Sequence, residues 1–274
     1  MLTYNPIAKE ILSTIDSISA SVNRDVHEIS RLQLMHSGSE DFALRTISKF
    51  ANKVSGKILT NYKECDIIFN AYEASGKRKI TSTQRASPKQ RLIIRTVDCY
   101  KNLLRGINIF ASSFVLQDLV DGKYQTNFSL INYSNGNFNN IIYATNYNNN
   151  PSVYLNGRQI KAEERTSFAI SSVCFNDRAI CDAKFERVVK DSFSVLVTNS
   201  IAYDTNLIAD GKFHALIYKD ETLMNLLPAF FVLKCLYFNT NISSADFEGN
   251  IQDLEKSTSL IAAGDSMYTK LLSL

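Results

Sequence analysis

Apolar residues recur at three- and four-residue spacing from the start of the chain. Ile7, Ile11, Ile15 and Ile18 share one face, which predicts an amphipathic helix. A second helix is expected over residues 41–59, where Phe42, Leu44, Ile47, Phe50 and Val54 lie on one side. The period then changes. Residues 66–71 and 92–97 are short apolar runs of the kind that form buried strands. Residues 75–90 (SGKRKITSTQRASPKQ) are polar and basic and read as a loop, and residues 98–106 read as an irregular turn.

Strand-like runs follow at 107–119, 126–133 and 141–145, separated by Asp121-Gly122 and by Ser134-Asn135-Gly136-Asn137. Asp-Gly and Asn-Gly are strong hairpin signals, because both central residues of a type I′ turn need positive φ. Residues 127–150 are rich in Asn, but apolar residues alternate through them, so an antiparallel meander is expected. Asn156-Gly157 marks another tight turn. Beyond it, 168–175 and 194–198 read as strands, 201–209 as a helix stopping at Gly211, 213–218 as a strand and 223–236 as a helix. A last strand at 259–263 precedes a short C-terminal helix, with Gly264-Asp265-Ser266-Met267 as turn and cap. A helix pair, a mixed sheet, then alternating strands and helices predict a layered α/β (α+β) chain in two lobes. The N-terminal α+β lobe spans residues 1–155, a helix pair with an antiparallel-rich sheet. The C-terminal α/β lobe spans residues 156–274.

Composition narrows the function classes. A hydrophobic fraction of 45% and a charged fraction of 21% over 274 residues match an ordinary globular protein and exclude wholesale disorder. A net charge of +3 is too mild to point to nucleic acid. No apolar run approaches the roughly 18 residues of a membrane span. Lys9 and Glu10 interrupt the N-terminal segment before a secretory signal could form. A soluble, cytoplasmic protein with no nucleic-acid or membrane partner is expected. The five cysteines are odd in number and lack C-x-x-C spacing, so they read as reduced thiols rather than disulfides or a zinc cluster. His27, His36 and His214 lie far apart and read as surface or core residues. Arg78, Lys79, Arg85 and Lys89 form a basic stretch that reads as solvated.

Several landmarks stand in a distinctive order: Glu73-Ala74-Ser75-Gly76 after one strand, Asp98 after another, then Asn102-Leu103-Leu104-Arg105-Gly106. Later come Asn156-Gly157, Asn199-Ser200-Ile201-Ala202-Tyr203-Asp204 and Ala209-Asp210-Gly211-Lys212. In this order and spacing the chain resembles the inositol monophosphatase family, within the superfamily that includes fructose-1,6-bisphosphatase. The resemblance implies a layered αβαβα fold, usually a homodimer, and magnesium-dependent hydrolysis of inositol or sugar phosphates. In that chemistry acidic residues hold divalent ions that bind the phosphate and activate water.

The resemblance breaks at the metal ligands. The Glu-Glu motif is Glu73-Ala74 here, so one ligand position survives. The Asp-Pro-Ile-Asp-Gly-Thr motif is Arg95-Thr96-Val97-Asp98-Cys99-Tyr100. Asp98 and the carbonyl position of Val97 survive as remnant metal positions. Arg95 replaces the bridging aspartate, Cys99 the phosphate-loop glycine and Tyr100 the water-orienting threonine. Trp-Asp is Met224-Asn225, and the acidic position that touches substrate hydroxyls is Tyr218. With Ser200, the residues Arg95, Cys99, Tyr100, Tyr218 and Asn225 occupy the positions of the family's substrate site. Asp41 matches the aspartate that assists the attacking water. A divalent ion about 4 Å from a guanidinium is repelled by about 8 kcal/mol at an effective dielectric near 20. The implied Mg2+ is therefore expected to be lost or weak. Arg95 then closes an ion network with Glu73 and Asp98, or receives an anion through its fork, or stands beside a single residual metal. Two functions follow: an impaired or inactive family member that binds a phosphorylated small molecule or a protein partner, or a divergent magnesium-dependent phosphatase.

Overall fold

A computed structural model describes residues 6–34, 39–72, 78–83, 86–107, 109–135, 138–162 and 167–274. The chain opens with two helices, α1 (Pro6–Leu34) and α2 (Ser39–Asn61). The strands β1 (Cys65–Tyr72), β2 (Arg78–Ser82) and β3 (Gln90–Arg95) lead to a short helix, α3 (Tyr100–Leu104). A meander follows: β4 (Ser112–Val120), β5 (Lys123–Asn135), β6 (Phe138–Tyr147), β7 (Asn150–Leu155) and β8 (Arg158–Ile160). Next come β9 (Ser172–Phe175), α4 (Asp177–Ile180), α5 (Glu186–Asp191), β10 (Ser194–Val197) and α6 (Ile201–Ala209). The chain ends with β11 (Ala215–Thr222), α7 (Leu223–Cys235), β12 (Asn239–Thr240), β13 (Ser257–Ala263) and α8 (Asp265–Leu272).

The strands form two sheets, in the orders β2-β1-β3-β4-β5-β6-β7-β8 and β10-β9-β11-β13-β12. Side-chain alternation decides how they stack. In the first sheet Ile67, Ile94, Phe114 and Leu130 face α1 and α2, while Ile68, Ile93, Val115 and Ile131 face α6 and α7. In the second, Leu216 and Tyr218 face α6 and α7, while Ala215 and Ile217 face α4, α5 and α8. The layers are α, β, α, β, α. Strands covered on both faces read as continuous apolar runs, which is why 66–71 and 92–97 were legible. The helix α7 lies between the sheets, and eleven of its thirteen residues are buried, as expected for a helix apolar on every side. Each large side chain enclosed there contributes about 1.5–3 kcal/mol.

Two of the hairpin signals are realised; the third, at Gly136-Asn137, lies outside the described residues. Asp121 and Gly122 have φ of 50° and 78°, and Asn156 and Gly157 have φ of 50° and 81°, the left-handed pair that a type I′ turn demands. Elsewhere the structure corrects the sequence reading. The expected loop at 75–90 contains β2, which pairs with β1. The expected turn at 98–106 contains α3. The run at 107–119 is extended only from Ser112, and 168–175 begins with a 3-10 turn before β9. The helices α4 and α5 carry no clear period in the sequence, being only 4 and 6 residues long. A side-chain cap starts α4, where Asn176 Oδ1 accepts from the Ala179 N–H, and α5 continues a 3-10 turn (Ala183–Phe185) that Asp182 Oδ1 caps at the Lys184 N–H.

Candidate functional site

The strand β3 ends at Arg95, whose residue is only 3% exposed. Its Nη1 donates to Asn225 Oδ1 on α7, and its Nη2 donates to the main-chain carbonyl of Asp98 at 2.8 Å. Asn225 in turn donates through Nδ2 to Glu221 Oε2 at 2.8 Å. An amide thus relays the guanidinium to a carboxylate.

Asp98 is saturated from the other side. Its Oδ1 accepts from the Ala111 N–H at 2.8 Å. Its Oδ2 accepts from Ser200 Oγ at 2.7 Å and from the Ala202 N–H at 2.9 Å. Ser200 is the N-cap of α6, and its Oγ also accepts from the Tyr203 N–H. A carboxylate placed there complements the positive end of the helix. Burial pushes the Asp98 carboxyl up, opposed by these hydrogen bonds and by the charge of Arg95. Asn199 holds the left-handed φ of 60° that turns the chain into this cap, a conformation Asn tolerates better than most residues.

Behind the cap lies a second enclosed polar string. Thr198 Oγ1 donates to Asp204 Oδ1, and the Tyr218 hydroxyl donates to Asp204 Oδ2, both at 2.6 Å. Burial is the main cause that pushes Asp204 up to about 7 and the Tyr218 phenol well above its usual value.

The structure therefore sorts the residues singled out from the sequence. Arg95, Asp98, Ser200 and Asn225 meet in one linked cluster, with Cys99 next to Asp98. Arg95 meets Asp98 through the Asp98 main-chain carbonyl, and its charge also acts on the Asp98 carboxyl. Tyr218 is 1% exposed and committed to Asp204, so its hydroxyl faces the interior rather than a ligand. Val97 is buried in the core beneath α1 and α2, and Tyr100 packs against that core. Glu73 lies outside the described residues. Asp41 belongs to α2, but its side chain is outside the described set. Lys89 pairs with Glu64 at the surface, and the buried His214 accepts the Ser172 N–H at Nδ1.

Sequence reasoning missed Glu221. The β11–β13 register shifts between Tyr218 and Glu221, and Asp220 has φ of 54°. The extra residue is a bulge, which re-aims the side chains beyond it. Neither feature has a signature that an alignment of motifs detects. The i, i+4 spacing of Glu221 and Asn225 at the start of α7 was the available signal.

A hard divalent cation needs several oxygen ligands free to coordinate it. Both carboxylate oxygens of Asp98 already accept hydrogen bonds, and the Arg95 guanidinium lies beside its main-chain carbonyl. Among the described residues, no three His, Cys, Asp or Glu side chains are grouped to hold a metal ion. Of the remnant metal positions with a carboxylate, Asp98 is the one that lies among the described residues, and its oxygens are committed to hydrogen bonds.

Cys99 is 6% exposed, and burial followed by the neighbouring Asp98 pushes its thiol up to about 11. Cys181 is the exposed thiol, and the other four are buried. Alkylation of the folded protein near pH 8 is expected to label Cys181 first and Cys99 only on unfolding. Mass spectrometry of the labelled peptides checks this, and equal labelling of the two would contradict the enclosure of Cys99.

No family model and no curated protein matches the sequence. Solved structures do match. The extragenic suppressor protein SuhB of Bartonella henselae superposes with a TM-score of 0.73 at 14% identity, covering 97% of this chain and 98% of that one. A calcium-bound inositol monophosphatase family protein from Staphylococcus aureus gives 0.71 at 14% identity, covering 97% and 93%. A dual-specific inositol monophosphatase/NADP phosphatase bound with D-inositol-1-phosphate gives 0.69 at 14% identity, covering 97% and 94%. The layered αβαβα fold is that of the inositol monophosphatases, shared over nearly the whole chain. No helix among the described residues is long and apolar enough to cross a membrane.

Proposed function

We propose that this protein is a divergent member of the inositol monophosphatase family with an eroded metal site. It is catalytically impaired or inactive and acts by binding a phosphorylated small molecule or a protein partner, as a cytoplasmic homodimer. One observation carries the reading: Asp98 spends its carboxylate on Ala111, Ser200 and Ala202, while Arg95, which the resemblance sets at the bridging acid, is bonded to Asn225 and the Asp98 carbonyl. Hydrolysis in this family relies on metal to stabilise the transferring phosphoryl group and ready the water. Ala74, Arg95 and Asn225 remove three carboxylates from that arrangement.

The test is hydrolysis of inositol 1-phosphate and fructose 1,6-bisphosphate with magnesium or manganese. No turnover above background is expected. Restoring Arg95→Asp, Ala74→Glu or Asn225→Asp singly is expected to fail, because residues that act as a unit are not additive; the triple variant is the informative partner. Chelator-sensitive turnover by the natural chain at about 1 per second or faster would sink the reading. It would favour the alternative, a divergent magnesium-dependent phosphatase of sugar or inositol phosphates. Glu221 supports that alternative, since it supplies a carboxylate beside Asn225 that the family motifs do not include.

A further inference from the structure

The two sheets have four edges: β2 and β8 in the first, β10 and β12 in the second. An edge strand presents a row of N–H and C=O groups to any other strand, and proteins guard it with charge, a bulge, proline or extreme shortness. Three of the four are guarded. The strand β2 opens on Arg78-Lys79, β8 opens on the exposed Arg158, and β12 has two residues. The fourth is not. Residues 192–199 carry no charge. The strand β10 keeps an unbroken parallel register with β9, so no bulge turns this edge away, and it contains no proline. None of its four residues is buried.

Apolar surface collects along the same edge. Phe193, directly before β10, is 77% exposed, more than any other large apolar side chain among the described residues. Its N–H donates to the Phe168 and Ser171 carbonyls, both at 3.0 Å. That holds it beside the 3-10 turn that carries Ile170, which is 54% exposed. Val197 closes the strand and is exposed as well. Val195 packs down onto the core beneath, so the strand is anchored while its rim stays apolar. Apolar side chains gathered in the open mark a contact surface.

We propose that β10 is an interface strand, paired antiparallel across a two-fold axis with β10 of a second copy of this chain. The proposal rests on the homodimer of the reading above and gives that dimer its interface. A second copy fits this edge for three reasons. A stretch with no charge can lie against itself without like charges facing each other. Antiparallel pairing brings the Phe193 end of one strand to the Val197 end of the other, so each copy covers the apolar rim of its partner. The contact is isologous and closed, and the edges that remain are the guarded ones, so assembly stops at two. The pair of five-stranded sheets becomes one sheet of ten strands.

The test is sedimentation velocity on the full chain at micromolar concentration, with hydrogen exchange read over residues 194–197. The natural chain is expected at twice the chain mass. Its β10 amides are expected to exchange at least about tenfold more slowly there than after dilution to monomer, because pairing protects them. Phe193→Asp combined with Val197→Asp sets like charges near the axis. This variant is expected to sediment as a monomer, with a melting temperature near that of the diluted natural chain, since both side chains are exposed. A natural chain that stays monomeric overturns the pairing and the homodimer together, and leaves the eroded metal site to its own turnover test. A folded double variant that remains dimeric overturns the pairing alone. So does a dimer whose β10 amides exchange as fast as those of the monomer, a readout that holds even if the double variant folds poorly.

Discussion

Replacing Arg91 by alanine is expected to destabilise the protein by about 3–5 kcal/mol, the range for breaking a buried polar network. Arg91 is 1% exposed on β3 and satisfies three acceptors at once. Its Nε donates to Gln117, its Nη1 to the Gly249 carbonyl and its Nη2 to the Phe247 carbonyl, the latter two at 2.8 Å. Its guanidinium carbon also lies 3.9 Å from the centre of the Tyr124 ring. Burial pulls its pKa down to about 10, so it remains a cation at neutral pH. Alanine leaves the two carbonyls and the amide oxygen short of a donor and opens a void. Phe247 ends one 3-10 turn and Gly249 lies in the link to the next (Ile251–Glu255) before β13, so the cost falls where β3 meets this segment. Urea midpoints measure it. Arg91→Lys, which keeps the charge but loses the fork, is expected to fall between the two. A midpoint for Arg91→Ala within error of the natural chain would contradict the network.

The second large effect is expected in the pH dependence of stability. Asp204 moves from an ordinary value of 3.8 to about 7 in the folded chain. The folded state therefore holds this proton more tightly than the unfolded chain. The stabilisation is complete below about pH 4 and is lost as pH rises through about 7. Its full size is about 4 kcal/mol at 1.36 kcal/mol per pKa unit. The raised Asp98 adds in the same direction. Asp204→Asn keeps an acceptor for the Tyr218 hydroxyl and never ionises. Its midpoint at pH 8 is expected to exceed that of the natural chain, and the fall between pH 5 and 8 to flatten. Superimposable pH profiles for the two proteins would show that Asp204 does not carry the effect.

The fold was largely legible because its strands are covered on both faces and its hairpins use Asp-Gly and Asn-Gly. Runs such as Ile67-Ile68 and Leu92-Ile93-Ile94 report burial on two sides, and α7 reports it all round. What escaped were short elements without a readable period: α3, α4 and α5 have 5, 4 and 6 residues, and β2 (RKITS) opens on two charged residues. The site was half legible. Motif order brought Arg95, Asp98, Ser200 and Asn225 together in advance, because each sits at the end of an element whose place the fold dictates. The inward direction of Tyr218 follows from strand alternation with Leu216, whereas the arrival of Glu221 depends on a bulge at Asp220, a backbone feature invisible to residue-by-residue matching. That Asp98 is spent on main-chain N–H groups was equally hidden, since its partners are Ala111 and Ala202, whose side chains play no part.

The cap that Asp98 places on α6 also sets the terms on which the site's history could be reversed. The carboxylate a cation would claim is the one that anchors the start of a helix between the two sheets. Giving it back to a metal would release the Ala202 N–H and the Ser200 hydroxyl in a dry interior, so each step toward an ion would first loosen the scaffold around it. Asp98 thus behaves as a fastener: any cation drawn to its carboxylate has to compete with the hydrogen bonds that start α6.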